Sequence, residues 1–253
     1  MSESPLSALL ELAAALLESG AEPYRAEEAI ERAGRGFGLG DVQVFVTPTG
    51  LFVGCVGPLG HEAGVRRVRR RGTDLGRLAV LNSLSRAAER GDVTPPECLR
   101  AIAALAAAPE PYGLGTELLA GGVASAAYAW FIGAPPIAAL LAALGGAFTI
   151  LMRRRRVVYA AERFFALAVS GFAVGLIGIA GSALFGVATG MVVAGGVVVL
   201  VPGLALTGVL RDLVAGDFLS AGAEGLEALT VTGALAAGVA LSVAAGIALG
   251  WSR

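Results

Sequence analysis

The chain has 253 residues, of which 56% are hydrophobic and only 15% charged, with a mean hydropathy of +0.75. A soluble domain carries roughly a quarter charged residues, so this balance excludes an ordinary soluble globule, while a net charge of −1 selects no class of partner. Charge is also unevenly placed: Leu118–Met152, Phe164–Leu210 and Ala228–Ser252 hold no Asp, Glu, Lys or Arg, and Met1–Glu117 holds most of them.

From the N-terminus, Leu6, Leu9, Leu10, Ala13, Leu16 and Leu17 recur at helical spacing and predict a helix over Pro5–Glu18. Ser19-Gly20 stops it. This apolar start contains Glu11 and follows no basic residue, so it does not read as a signal peptide. A second helix is expected over Glu22–Gly36, with Pro23 tolerated in its first turn. Val42–Val46 and Leu51–Val56 are β-rich and flank Thr47-Pro48-Thr49-Gly50, which reads as a hairpin; Val65–Arg71 suggests a third strand. Helices follow from Thr73-Asp74 to Arg90 and from Thr94 to Ala108. The order ααββ(β)αα describes a small α+β domain over 1–112. Cys55 and Cys98 fall inside it and read as reduced thiols of a cytoplasmic domain.

Pro109, Pro111 and Gly113 mark a linker. Beyond it, 113–253 reads as an α-helical membrane domain with about five spans, near 115–132, 134–152, 164–183, 187–209 and 227–250. Arg153–Arg156, Arg163 and Arg211 lie on one side of these spans, and the loops 133–136 and 184–190 have no basic residue. The positive-inside rule then places the N-terminus in the cytoplasm and the C-terminus outside the cell membrane.

Several candidate sites have a plainer reading. Arg153–Arg156 fixes orientation against anionic lipid, and Arg66–Arg71 reads as a solvated or lipid-facing edge with no aromatic partners for nucleic acid. His61 is the only histidine, so no metal site is expected, and no motif implies a cofactor or a catalytic constellation. Gly171, Gly175, Gly178, Gly181, Gly186 and Gly190 suit close helix packing.

The stretch VLVPGLALTGVLRDLVAGDFLSAG, Val199–Gly222, departs from the pattern. At about 1.5 Å per residue the helix entered at Val187 reaches Pro202-Gly203 after about 22 Å, within a core of roughly 30 Å. Proline frees a carbonyl there, and broken helices at this depth line cavities or bind solutes. If the helix resumes, Gly208, Asp212 and Gly216 share one face, leaving the carboxylate in a cleared groove. Arg211 then points about 100° away, on a face with Thr207.

These residues resemble the threonine/serine exporter family. One matching region is LLESGAEPYRAEEAIERAGRGFGL…VFVTPTGLFV, with Ser19, Gly20 and Glu22 and then Pro48, Thr49 and Gly50; the other runs from Pro202-Gly203 through Arg211-Asp212 to Gly216, Asp217, Ser220 and Gly222. Ala205, Gly208 and Gly225 stand where that family often has Pro, Asn and Arg. The resemblance implies transport; joined to the reading of the broken helix, it gives the expectation of a proton-driven exporter of threonine and serine, with a substrate or ion path over Pro202, Gly203, Thr207, Gly208, Arg211, Asp212, Gly216 and Asp217. It implies a partner too, since the family's unit has a second block of spans, here expected as a separate small membrane protein in a hetero-oligomer. Split versions are linked with succinate and other dicarboxylates, the second reading. A membrane-anchored enzyme or sensor is the third, and five glycine-rich spans are more than an anchor needs.

Overall fold

The computed structural model describes residues 4–47, 49–57, 60–69, 72–109, 111–154 and 160–251, without the side chains of 160–162. Pro48 of the predicted hairpin turn, Arg70–Arg71 and Arg155–Arg156 lie outside the described residues. The chain divides into two compact units, Met1–Pro109 with Leu210–Ala223, and Glu110–Val209 with Glu224–Arg253.

The first unit opens with α1 (Pro5–Glu18), whose start is capped by the Ser4 hydroxyl accepting from the Ser7 amide. Gly20 adopts φ +93°, and the Ala21 amide reaches back to the Leu16 carbonyl, closing the helix end. A side chain at Gly20 would meet the Gly72 carbonyl at 2.6 Å, so the Ser19-Gly20 pair also lets residues 72–74 dock. The Gly72 amide bonds Glu18 and the Asp74 amide bonds Ser19, each at 3.0 Å.

Helix α2 (Pro23–Gly36) follows, then three antiparallel strands in the order β1 (Gly40–Thr47), β2 (Gly50–Gly57), β3 (Gly60–Arg67). Val46 pairs with Leu51 and Phe45 with Phe52. Alternation sends Val46, Leu51, Val53 and Cys55 into a core with Leu9, Leu12, Leu16 and Leu17 of α1 and Ile30 of α2. Each such fully buried aliphatic side chain contributes about 1.5–3 kcal/mol. Helices α3 (Leu75–Glu89) and α4 (Pro95–Ala107) complete the layer, adding Leu81 and Cys98 to that core. The third strand corrects the expectation of Val65–Arg71: its inward positions are Glu62 and Gly64, half-buried residues with no apolar signal.

In the second unit α5 (Leu114–Phe131) and α6 (Pro136–Arg154) form a hairpin, followed by α7 (Ala160–Phe185) and α8 (Thr189–Val197). Glycines set their spacing. A Cβ at Gly195 of α8 would come 2.7 Å from Ala142 and 2.8 Å from Ala129, and one at Gly146 of α6 would fall on Ser125 of α5. Among the described residues, three helices are long and apolar enough to cross a membrane: Pro136–Arg154, Arg163–Phe185 and α10 (Phe218–Ala248). A fourth crossing needs the pair Thr189–Leu200 and Gly203–Ala215, which are bent by 64°. The expected count of five is therefore not reached by this measure. The first predicted span is a helix, but Glu117, Ser125 and three glycines dilute α5.

The predicted span boundaries shift at the C-terminal end. After a 3-10 turn at Val198–Leu200, helix α9 runs Gly203–Ala215, and α10 begins at Phe218 instead of 227. Residues 210–223 belong to the first unit, whereas the sequence reading placed them in the membrane part.

Candidate functional site

The break is local and explicable. Proline 202 has no amide to donate, so the helix tightens into the 3-10 turn, and Val201 turns extended with ψ 127°. The helix then restarts, the Leu206 amide bonding the Pro202 carbonyl at 3.0 Å. Thr207 is exposed and returns its hydroxyl to the Leu204 carbonyl at 2.8 Å.

Within the second unit, Gly208 is buried, and a Cβ there would lie 2.9 Å from Oε2 of Glu224. The space at Gly208 is thus bordered by a carboxylate, and Glu224 is itself only 6% exposed. The sequence reading missed Glu224. With α10 starting at Phe218, Ser220, Glu224 and Ala228 follow one another at i, i+4, i+8 on a buried face.

In the first unit, Asp212 is buried at 3% exposure. The expected face of Gly208, Asp212 and Gly216 does not exist in full, because α9 stops at Ala215. Gly216 adopts φ +84°, and the Asp217 amide bonds the Asp212 carbonyl at 2.9 Å. That arrangement is a helix C-cap, which needs the left-handed residue that glycine supplies. Asp217 then opens α10, its Oδ1 accepting from the Ser220 amide at 3.1 Å.

Arg211 is not simply solvated. Its Nη1 donates to Glu22 Oε2 at 2.5 Å and to the Tyr24 hydroxyl at 2.8 Å, with the guanidinium 5.6 Å from the Tyr24 ring centre. Arg25 approaches the same two residues, its Nε 2.8 Å from the Tyr24 hydroxyl and 3.0 Å from Glu22 Oε2. The bond to Tyr24 is the largest cause raising the Arg25 pKa above its ordinary value. The two stretches singled out in the sequence, 19–50 and 202–222, therefore meet at Glu22, Tyr24 and Arg211.

Glu27, one helical turn on, accepts the Val46 amide at 2.8 Å. It covers an outward N–H of the edge strand β1. Burial pushes its carboxyl above the ordinary range, the Val46 bond opposes this, and the charges of Asp217 and Glu31 add to it. Tyr24, Arg25 and Glu27 lay inside the sequence motif, but only the long-range pairing marks them.

The other motif residues shape the fold. The Thr49 carbonyl accepts from Val68 and the Gly50 carbonyl from the Thr47 hydroxyl, both at 3.0 Å. Among the described residues no group of three His, Cys, Asp or Glu side chains is placed to hold a metal. Cys55 and Cys98 are free and buried, and burial pushes the Cys98 thiol up to about 11.

A family model described as "Putative threonine/serine exporter" matches residues 7–246. A relative from Mycobacterium tuberculosis, named "Probable threonine/serine exporter", is 25% identical over 240 residues, which is 94% of this chain and 45% of that protein. The chain thus spans about half the length of the curated relative it matches. No solved structure matches it.

Proposed function

The chain belongs to the threonine/serine exporter family, and from that premise we propose that it is one subunit of a secondary exporter of small polar metabolites, threonine and serine first. The observation that carries this reading is the course of α9. It starts at a proline break in the apolar unit and ends in the other unit, where Arg211 is held by Glu22 and Tyr24 and Asp212 is buried. Ionisable groups at the end of a helix that begins in an apolar run are costly near the membrane and mark solute or proton paths. Asp212 is the proton- or ammonium-linked carboxylate, and Pro202-Gly203 the hinge.

Five crossings complete this scheme, with α5 inserting as the partner of α6 in their hairpin. The arginines at 153–156, 163 and 211 hold the N-terminal unit in the cytoplasm and leave the C-terminus outside. The partner in this scheme is a second, small membrane protein, as the family resemblance implies. Two guanidinium groups converging on Glu22 favour a second reading, export of a dicarboxylate such as succinate.

Reconstitution with that partner and labelled threonine inside the vesicles tests the assignment. Asp212→Asn should slow efflux by about tenfold or more, a typical effect of removing a proton-transfer group. Efflux at the wild-type rate would withdraw the role given to Asp212. Counterflow of threonine against succinate decides between the two solutes.

A further inference from the structure

We infer that Arg25 and Arg211, both held by Tyr24 and Glu22, form a binding site for a small oxyanion, a carboxylate or a phosphate. Both guanidinium groups reach the same carboxylate oxygen, Glu22 Oε2, at 3.0 and 2.5 Å. Both lie over the Tyr24 ring, at 5.9 and 5.6 Å from its centre. Two cations drawn this close repel each other, and Glu22 is the one carboxylate that both guanidinium groups contact. Glu28, whose charge also favours the Arg25 cation, makes its direct ion pair with Arg32 at 2.7 Å.

Donors remain for a ligand. A guanidinium has five N–H groups in a planar fork. Among the described residues, Arg25 uses only its Nε and Arg211 only its Nη1 on protein acceptors. The unused edges belong to side chains that are 57% and 47% exposed, so solutes reach them. Such forks match carboxylate and phosphate oxygens two at a time. Tyr24 fixes both planes by stacking and by its hydroxyl, which lowers the ordering cost of binding. Two further acids of this unit are taken up otherwise: Glu27 accepts the Val46 amide and Asp217 caps α10.

Glu22 is in this arrangement an internal competitor, a carboxylate occupying part of the site until another oxyanion shares or displaces it. That gives the test a sign which a purely structural ion pair cannot reproduce. The full chain is placed in nanodiscs of neutral phosphatidylcholine, and its thermal unfolding is followed as sodium succinate or inorganic phosphate is added, with sodium chloride at equal ionic strength as the control. A ligand of the folded state raises the melting temperature with concentration.

Wild type should show a saturable rise. Arg25→Gln and Arg211→Gln should each weaken the apparent affinity about tenfold or more, the scale of one lost charge-assisted pair. Arg25→Lys and Arg211→Lys, which keep the charge and lose the fork, should weaken it as well. Glu22→Gln should tighten it. If phosphatidylglycerol in the disc raises wild type above the Arg25→Gln/Arg211→Gln double variant, and free succinate then adds nothing, the site holds and a lipid headgroup is its oxyanion. If neither free anion nor anionic lipid separates wild type from the double variant, or if Glu22→Gln weakens binding, the site is overturned. The outcome is separable from the export reading, on which only the anion's identity rests. Binding without efflux overturns export and leaves the site standing, and efflux without binding does the reverse.

Discussion

Glu27 shows what one carboxylate does when the backbone needs it and the surroundings resist its charge. Its folded pKa lies above the ordinary 4.5, first through burial and then through Asp217 and Glu31. A raised acid binds its proton more tightly in the folded state. Its contribution to stability is therefore complete below about 4.5 and is lost as pH rises through the raised value. Protection factors of the α2 and β1 amides, from hydrogen exchange on the full chain, should fall across that window in wild type. In Glu27→Gln, which keeps an oxygen for the Val46 amide and cannot ionise, they should stay level; parallel curves would remove Glu27 as the cause. At this scale the sequence was legible by type and not by partner. Asp212 stood out as a carboxylate after an apolar run, yet its expected glycine groove dissolves because Gly216 caps a helix and Glu224 borders Gly208. A one-dimensional pattern shows spacing along a helix and cannot show which distant side chain fills a gap.

Helices α7 and α10 meet through glycines contributed by both. A Cβ at Gly171 would fall on the Leu235 backbone, and one at Gly238 on the Ala168 carbonyl with the Phe172 amide 2.8 Å away. Backbone cannot yield as a side-chain tip does, so Gly238→Ala must part the helices, at a cost of about 1–3 kcal/mol. Gly233 sits in the same helix with nothing within 4 Å of its Cβ position, and Gly233→Ala should gain about 0.5–1 kcal/mol of helix propensity. Unfolding of the two variants in one detergent compares them; equal stabilities would mean that the contact gives way. The packing role expected for the glycines of α7 is visible at Gly171, Gly175, Gly178 and Gly181, which face α10, α10, α8 and α6 in turn. Elements were legible wherever periodicity was strong. They slipped at β3, where Gly64 makes room for Leu10 at 2.5 Å instead of supplying an apolar side chain, and at the start of α10, where a helix stop and a helix start share Gly216-Asp217.

Over the whole molecule, hydropathy separated the chain into a charged part and an apolar part and kept residues 210–223 with the apolar part, whereas the compact units group them with Met1–Pro109. Those residues follow a charge-free run and resemble the end of a span; only contacts with α2 reveal that they complete the first unit. A fragment ending at Pro109 lacks Arg211 and the Asp217 turn. Its α2 amides should exchange about tenfold faster or more than in the full chain, since local opening tracks the contacts removed. Equal exchange would show that 210–223 adds nothing to that unit. The same division bears on how the protein is made. A ribosome delivers residues 1–109 first and the closing segment roughly a hundred residues later. At about 5–20 residues per second the wait is on the order of 5–20 s. Helices α5 to α8 emerge during that interval, so the first part of the chain to be born is among the last to be finished.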